Sequence, residues 1–244
     1  MWDETAIRRY EAWYTTPTGR FAFTRERTLL ERLVAEWPRR DQRFLEIGCG
    51  SGLFLETFWE SGFDVTGIDQ SQAMIRSARE RMGDRAGLHV GHADCLPFDD
   101  NEFDYTALLT VLEYVDDPVR VLEEARRVTR KGILVSFLNR NSCYYVGNGM
   151  RLPLLRRGMM RSARWYTPCA MRRLITQALG TLPTSFKTTL PGPKWTWRDR
   201  PPWNWINAPW CFGLVGAYGA VRIDLVGGKP LTPLLAFDAA AETS

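Results

Sequence analysis

A chain of 244 residues with 45% hydrophobic and 25% charged residues has the length for one sizeable core and the composition of an ordinary globular protein, which excludes fibrous and disordered classes. Its net charge of +4 hides an asymmetry: Arg140 to Arg200 holds ten Arg and two Lys against one acid, a net +11 that leaves −7 on the remainder. The five cysteines, Cys49, Cys95, Cys143, Cys169 and Cys211, form no C-x-x-C pair, so neither zinc nor an iron-sulfur cluster is expected.

In chain order, helices are predicted over Asp3–Tyr14 and Thr24–Trp37, the second from Leu29, Leu30, Leu33, Val34 and Trp37 at helical spacing and from Pro38 as its stop. Arg43–Ile47 reads as a short buried strand, followed by a glycine turn and a helix over Leu53–Trp59. Strand Asp64–Ile68, helix Ser71–Met82, strands Leu88–Val90 and Phe103–Leu109, helix Pro118–Thr129 and strand Gly132–Leu138 continue the alternation, which implies parallel pairing with right-handed crossovers. Beyond Leu138 the pattern gives way to a basic Arg/Met stretch, a helix over Thr167–Leu179 and a strand over Thr184–Thr189. Pro191–Pro209 follows, a segment whose five prolines and four tryptophans read as an ordered loop covering something. Val215–Val226 reads as the last strand, stopped by Gly227-Gly228, and residues 236–244 as a flexible tail. The organisation expected is therefore one domain over residues 1–235, with an N-terminal helical cap (1–38) and a basic, Trp-rich insertion (139–210). The start lacks a secretory signal, and no apolar run reaches the roughly 18 residues of a membrane span, so a cytoplasmic protein is expected.

Chemistry concentrates at the first turn. Strand residue Glu46 precedes Gly48, Gly50 and Gly52, placing residues without side chains where the backbone turns sharply and a ligand must come close. The spacing G-x-G-x-G, with Leu53 where a dinucleotide fingerprint wants its third glycine, disfavours pyrophosphate. Asp69 ends the second strand, where a carboxylate can accept bonds from both ribose hydroxyls. It could also cap the next helix, a task open equally to Ser71.

With these residues the chain resembles the class I S-adenosylmethionine (SAM)-dependent methyltransferase superfamily, in its small-molecule branch of ubiquinone and menaquinone methyltransferases. The resemblance spans about Tyr10 to Leu138. Four motifs carry it in order: Leu45-Glu46-Ile47-Gly48-Cys49-Gly50-Ser51-Gly52; Val65-Thr66-Gly67-Ile68-Asp69-Gln70-Ser71 with Met74; Gly91-His92-Ala93-Asp94-Cys95-Leu96-Pro97-Phe98; and Phe103-Asp104-Tyr105 running on to Leu109-Thr110-Val111-Leu112-Glu113-Tyr114-Val115-Asp116-Asp117-Pro118. It implies an α/β, Rossmann-like, doubly wound and mostly parallel sheet of seven strands, the last antiparallel, with helices on both faces. It further implies SAM as methyl donor, S-adenosylhomocysteine (SAH) as product, and no metal.

By the same resemblance Gly48, Cys49, Gly50 and Gly52 hold the methionine end, Glu46 orients its amino group, and Asp69 binds the ribose with Gln70 and Met74 beside it. Asp94, flanked by Ala93 and Cys95, reads the adenine, and Leu109 and Thr110 line the donor pocket. Tyr10, Trp13 and Tyr14 either close over the cofactor or pack as ordinary core. No catalytic residue is assigned; His92, Glu113, Tyr14 and Tyr114 are the candidates should the acceptor have to lose a proton.

The acceptor is expected to be a small molecule, lipid-like or aromatic. Arg151, Arg156, Arg157, Arg161 and Arg164 among Leu152, Leu154, Leu155, Met159 and Met160 form either a surface for peripheral membrane contact or a solvated face. Trp195, Trp197, Trp203, Trp205 and Trp210 either wall an apolar acceptor site or pin a loop. Nucleic acid is disfavoured, because Thr110-Val111-Leu112-Glu113 stands where base methyltransferases carry an N/D-P-P-Y-type motif. A protein that binds SAM or SAH without turnover is the rival class; a short-chain dehydrogenase would need a Tyr-x-x-x-Lys pair that the chain lacks.

Overall fold

A computed structural model describes residues 4–150, 163–207 and 214–226 of the chain. Seven strands form one sheet: β1 (Arg43–Ile47), β2 (Asp64–Asp69), β3 (Ala86–Val90), β4 (Phe103–Leu109), β5 (Thr129–Leu138), β6 (Thr184–Thr189) and β7 (Tyr218–Asp224). Their spatial order is β3-β2-β1-β4-β5-β7-β6, with β7 antiparallel to both neighbours and the remaining pairs parallel. Among the described residues, eight α-helices flank it: α1 (Glu4–Thr15), α2 (Pro17–Leu33), α3 (Leu53–Glu60), α4 (Gln72–Met82), α5 (Pro118–Val128), α6 (Cys143–Asn148), α7 (Pro168–Leu179) and α8 (Trp203–Ile206). The expected fold class is the one observed. None of the described helices is long and apolar enough to cross a membrane.

The central strands are covered on both faces, so β4 is buried along its whole length, including Asp104 and Thr106. Alternation along β1 sends Phe44 to one layer and Leu45 to the other. On the first face Phe44 stacks on Phe58 at 4.2 Å between ring centres and meets Phe63 at 5.0 Å, while Trp37 stacks on Tyr105 at 4.2 Å. On the second, Leu45, Ile47 and Leu108 pack with Val121, Leu122, Ala125 and Val128 of α5 and with Met171 and Ile175 of α7.

Strand β1 pairs with β2 on one side and β4 on the other, so Ile47 lies level with Ile68 and with Leu108. Chain order reverses direction between β1 and β4, which opens a crevice outside the carboxyl ends of the strands. Across β5 the register sets Leu138 opposite Tyr218, so the start of the antiparallel β7 reaches the same edge.

Several boundaries differ from expectation for local reasons. Helix α2 begins at Pro17, seven residues before Thr24, because the Thr16 side chain accepts the Gly19 N–H and proline suits a first turn. Gly19 fits there because any Cβ would collide with the Trp13 carbonyl. The same helix stops at Leu33, and Trp37 packs as part of the connection rather than of the helix. Strand β5 starts at Thr129, its hydroxyl bonded to the Ala125 carbonyl and 2.9 Å from Thr106 Oγ1, so α5 runs into the strand without a loop. Helix α6, capped by Ser142, was not expected, and β7 is shorter than the predicted Val215–Val226.

The proline- and tryptophan-rich segment is ordered around a fully buried Asn207. Its amide donates to the carbonyls of Thr196 (3.1 Å) and Trp203 (2.9 Å) and its Oδ1 accepts from Gly192 N–H (3.2 Å), while Trp197 Nε1 donates to the Gly192 carbonyl (2.9 Å). The basic stretch centred on Arg151 to Arg161, Trp210, Cys211 and the tail from residue 236 lie outside the described residues.

Phe44→Ala, which empties the centre of the aromatic layer beneath β1, is expected to destabilise the protein by about 3–5 kcal/mol. Urea unfolding followed by circular dichroism checks this, and a loss under about 1 kcal/mol contradicts the packing described.

Candidate active site

The turn after β1 is fixed by the end of β2: the Ile68 carbonyl accepts both Gly48 N–H (2.7 Å) and Cys49 N–H (3.0 Å). Gly48, Gly50 and Gly52 have φ of +71°, +53° and +76°, a region that L side chains rarely adopt. A Cβ on Gly48 would also stand 2.5 Å from Val111 Cγ2, whereas one on Gly50 would meet nothing nearer than Met74 Sδ at 3.9 Å, so Gly50 leaves its backbone open. Gly52 starts α3 without a side-chain cap, which leaves the helix's first N–H groups for a ligand. Cys49 is buried against Gly67, where a Cβ would come within 2.8 Å of its Sγ.

Two carboxylates stand at this edge. Glu46 is 2% exposed and its Oε2 has no hydrogen-bond partner among the described residues. Burial, and then the Asp69 charge, push its carboxyl well above the usual range. Asp69 Oδ2 accepts Gly50 N–H at 3.0 Å and Oδ1 accepts Ser71 N–H at 2.8 Å; burial still raises it, against the pull of those two bonds. Ser71 caps α4 through Met74 N–H at 3.3 Å, so the capping task falls to Ser71 and leaves Asp69 at the turn. Gln70 is exposed and Met74 buried. A buried carboxyl oxygen lacking a partner, beside the Asp69 carboxylate, offers acceptors for a cationic amine joined to a hydroxyl-bearing group.

The β3–β4 loop is tied to β2 through Gly91 N–H on the Asp69 carbonyl at 3.1 Å. In it Ala93 is half-buried, Asp94 and Cys95 are exposed on the rim, and Arg120 Nε donates to the Asp94 carbonyl at 3.1 Å. His92 is exposed in the same loop, beside the edge strand; three strand spacings separate β3 from β4, on the order of 14 Å. Leu109 is buried at the end of β4, and Thr110 follows at φ +53°, an outlier for a β-branched residue that costs about 1–3 kcal/mol. Its N–H on Ser136 Oγ (3.0 Å) and its hydroxyl on the Leu109 carbonyl (2.7 Å) hold it there.

A second set of groups gathers nearer β5 and β7. Tyr10 and Tyr14 of α1 meet edge to face at 5.0 Å, and Tyr14 meets Phe23 of α2 at 5.7 Å. Glu26 of α2 is embedded among them, its carboxyl pushed up to about 8 by burial. Its charge is felt by Tyr10, Tyr14, Tyr144 and Tyr218, all raised chiefly by burial, Tyr10 and Tyr144 to about 12. Tyr114 belongs to the same group, raised by burial and by Glu113, Tyr10 and Tyr144. Glu113 is buried and also pushed up to about 8, but its Oε1 is taken by Leu138 N–H at 2.6 Å, a bond that braces the loop after β4 against β5.

Sequence reasoning singled out Tyr10, Tyr14, Glu113 and Tyr114, and the fold brings them together; His92 lies apart. It missed Glu26, Tyr144 and Tyr218. For Glu26 a signal existed, since it shares the helix face of Ala22, Leu29, Leu30 and Leu33, all buried. Nothing in the spacing links Tyr144 or Tyr218 to it.

The Methyltransferase domain family matches residues 45–137, which run from the first turn to the end of β5. A ubiquinone biosynthesis O-methyltransferase of Roseobacter denitrificans is 30% identical over 186 residues, 72% of this chain and 74% of that protein. Its counterpart in Thiobacillus denitrificans is 30% identical over 152 residues, 58% of this chain and 65% of that protein, so the chain spans just under two thirds of that relative's length. A demethylmenaquinone methyltransferase of Renibacterium salmoninarum is 35% identical over 91 residues, 37% of this chain and 38% of that protein. Among solved structures, a SAM-dependent methyltransferase from Thermotoga maritima superposes with a TM-score of 0.70 at 24% identity, covering 91% of this chain and 97% of that one. Magnesium protoporphyrin IX methyltransferase from Synechocystis with bound SAH does so at 0.66 and 13% identity, covering 91% and 94%. With its strand order, glycine turn and paired carboxylates, the chain belongs to the class I SAM-dependent methyltransferases, in the branch of the ubiquinone and menaquinone enzymes.

Proposed function

We propose that this protein moves the methyl group of SAM to a hydroxyl on a small aromatic acceptor of the quinol or catechol type. The donor half rests on one observation above others: the buried, unpartnered Glu46 oxygen beside the open backbone of Gly50. Glu46 receives the amino group of the methionine moiety; Gly48, Cys49, Gly50 and Gly52 surround its chain; Asp69, held by Gly50 and Ser71, keeps lone pairs for the ribose hydroxyls. Gln70 and Met74 flank the ribose, Ala93, Asp94 and Cys95 meet the adenine at the rim, and Leu109 and Thr110 wall the pocket under Tyr14. When bound, SAM supplies a methyl group already activated by its sulfonium, so the protein's work is alignment and exclusion of water.

The acceptor half is supported by the O-methyltransferase relatives and by the partly buried aromatic side chains where cap and insertion meet. Cap residues Phe21 and Ala22 pack with Leu190 and Trp197 of the insertion and with Ala217 just before β7, with partly buried Trp13 and Tyr144 against them. Tyr144 lies 5.0 Å from Trp197 and 5.9 Å from Trp165. Such walls suit an aromatic ring, and the tyrosine hydroxyls suit its oxygens. In this reading one catalytic domain spans residues 1–235, and the described parts of the cap (1–38) and of the insertion (139–210) cover its acceptor side.

The insertion also carries exposed apolar side chains, Val146 (62%), Met150 (66%), Trp195 (60%) and Trp205 (66%), among exposed Lys194, Arg198 and Arg200. This combination favours a peripheral contact with anionic lipid, by which a membrane-borne acceptor would be reached.

Transfer of labelled methyl from SAM to catechol-type acceptors is expected, with amines as controls; labelling of amines alone overturns the acceptor class, and SAH binding with no transfer to any acceptor favours a sensor. By calorimetry, Asp69→Ala is expected to weaken SAH binding roughly 10- to 100-fold, about 1.4–2.7 kcal/mol, in line with lost bonds to a charged group; unchanged affinity removes its ribose role. Vesicles rich in phosphatidylserine are expected to co-sediment the protein, and the double variant Trp195→Ala/Trp205→Ala to reduce the bound fraction several-fold; equal binding of the variant contradicts the lipid contact.

A further inference from the structure

We infer that Glu26 is the general base of the acceptor site, its carboxylate taking the proton of the acceptor hydroxyl as that oxygen receives the methyl group. The inference rests on the reading of the acceptor as a phenol given above.

Four positions along α2 define a core-facing stripe, Ala22, Leu29, Leu30 and Leu33, each at most 2% exposed, and Glu26 falls inside it. A carboxylate on such a face loses several kcal/mol of hydration unless a cation or donors replace the water. No cation does so among the described residues. Arg25 donates to the Asn204 carbonyl at 3.1 Å, and Arg27 is bridged to Glu31 at 2.8 Å and Glu60 at 2.9 Å. Tyr10 and Tyr14 of α1 meet edge to face at 5.0 Å, Tyr14 packs on Phe23 one turn before Glu26, and the Glu26 charge acts on both and on Tyr144 of α6 and Tyr218 at the start of β7. Glu46 of β1 acts on Tyr10 and Tyr218 as well, and Glu113 on Tyr218, so the donor-side and acceptor-side carboxylates share tyrosine neighbours. Glu26 itself is only half-buried. A side chain embedded in protein yet partly exposed lines a cleft, and the cleft gives a proton its way out.

Other candidates fall away on geometry. Glu113 has one oxygen taken by the Leu138 amide, Glu46 belongs to the donor pocket, and His92 stands beyond β2 and β1 from β4. The tyrosines, raised by burial, stay protonated at neutral pH and donate hydrogen bonds. The carboxyl of Glu26, pushed up to about 8, lies between neutral pH and the phenol value of about 10, the range in which a general base works best. In the step the hydroxyl proton passes to a Glu26 oxygen and the phenolic oxygen bonds to the methyl carbon. The carbon–sulfur bond breaks with its electron pair retained by sulfur, and Glu26 then releases the proton to solvent.

The test is the pH profile of kcat for two catechols of different acidity, catechol and 4-chlorocatechol, both less acidic than Glu26, with wild type, Glu26→Gln and Glu26→Asp. Wild-type kcat is expected to rise to a plateau through the same apparent pKa, near 8, for both acceptors. Glu26→Gln is expected to lower kcat at least 100-fold at pH 8 while SAH affinity and acceptor KM stay within about threefold, and Glu26→Asp to recover part of the loss. Catechol methylation by Glu26→Gln within threefold of wild type, with the same profile, overturns the base and leaves the proposed function standing. A change in KM alone overturns it too, in favour of a binding role. Should Glu26→Gln fail to fold, wild type decides: a profile that is flat, or that shifts with the acidity of the catechol, overturns the base. Methylation of amines but of no catechol overturns the acceptor class and the base together.

Discussion

Parallel strands present their last carbonyls and the amides of the following loops at one edge, and here the Ile68 carbonyl takes two of those amides, Gly48 and Cys49, at once. That pair of bonds forces the chain leaving β1 to double back across β2, and only residues tolerant of positive φ can follow the path. Gly67 on β2 completes the joint, because Cys49 and Leu55 fill the space a side chain there would need. Asp69 then closes the circuit by accepting the Gly50 amide. The glycine turn and its two carboxylates are therefore assembled from residues 43 to 71, within one β-α-β unit, by backbone bonds of ordinary length.

Such a pocket stores unfavourable electrostatics. Glu46, Asp69, Glu26 and Glu113 are all raised above the usual carboxylate range, chiefly by burial. A carboxyl whose value is higher in the folded than in the unfolded state favours folding when protonated. Its contribution is complete below the unfolded value of about 4.5 and is lost as pH rises through the folded value, near 8 for Glu26 and Glu113. At neutral pH the ligand-free protein is thus held together against its own site. A ligand bringing an ammonium and a sulfonium supplies the missing positive charge, and its binding is reinforced by relief of that strain.

Local order was the part legible in the sequence. Strands β1, β4 and β6 begin and end where hydrophobic runs and turn residues put them, because nothing distant competes with those signals. Helix α2 and strand β5 began earlier than expected for a shared reason: their first residues are polar and are held by single side-chain bonds, Thr16 to the Gly19 amide and Thr129 to the Ala125 carbonyl. A hydrophobic period carries no trace of such bonds. Glu26 is visible in principle as the charged member of the apolar stripe of Ala22, Leu29, Leu30 and Leu33, but a lone charge on such a stripe has no spacing that ties it to Tyr144 or Tyr218.

The acceptor chamber is a different kind of object, and its illegibility follows from its construction. Tyr14, Glu26, Tyr144 and Tyr218 come from four elements spread over 204 positions of the chain. They meet because Phe21 and Ala22 of the cap pack on Leu190, Trp197 and Ala217, and because Arg25 reaches the Asn204 carbonyl. None of these contacts has a fixed spacing. A pocket made by tertiary packing can be relined by substitutions on any of four elements while the donor pocket, made by one turn, cannot be altered without loss of the backbone path. The division matches the similarity to known proteins: the family match runs from β1 to β5 and ends before α6, Trp197 and β7. The glycine turn lies inside the family match, whereas Glu26, Tyr14, Tyr144 and Tyr218 lie outside it, so under the proposed function the identity of the acceptor has to be sought in them.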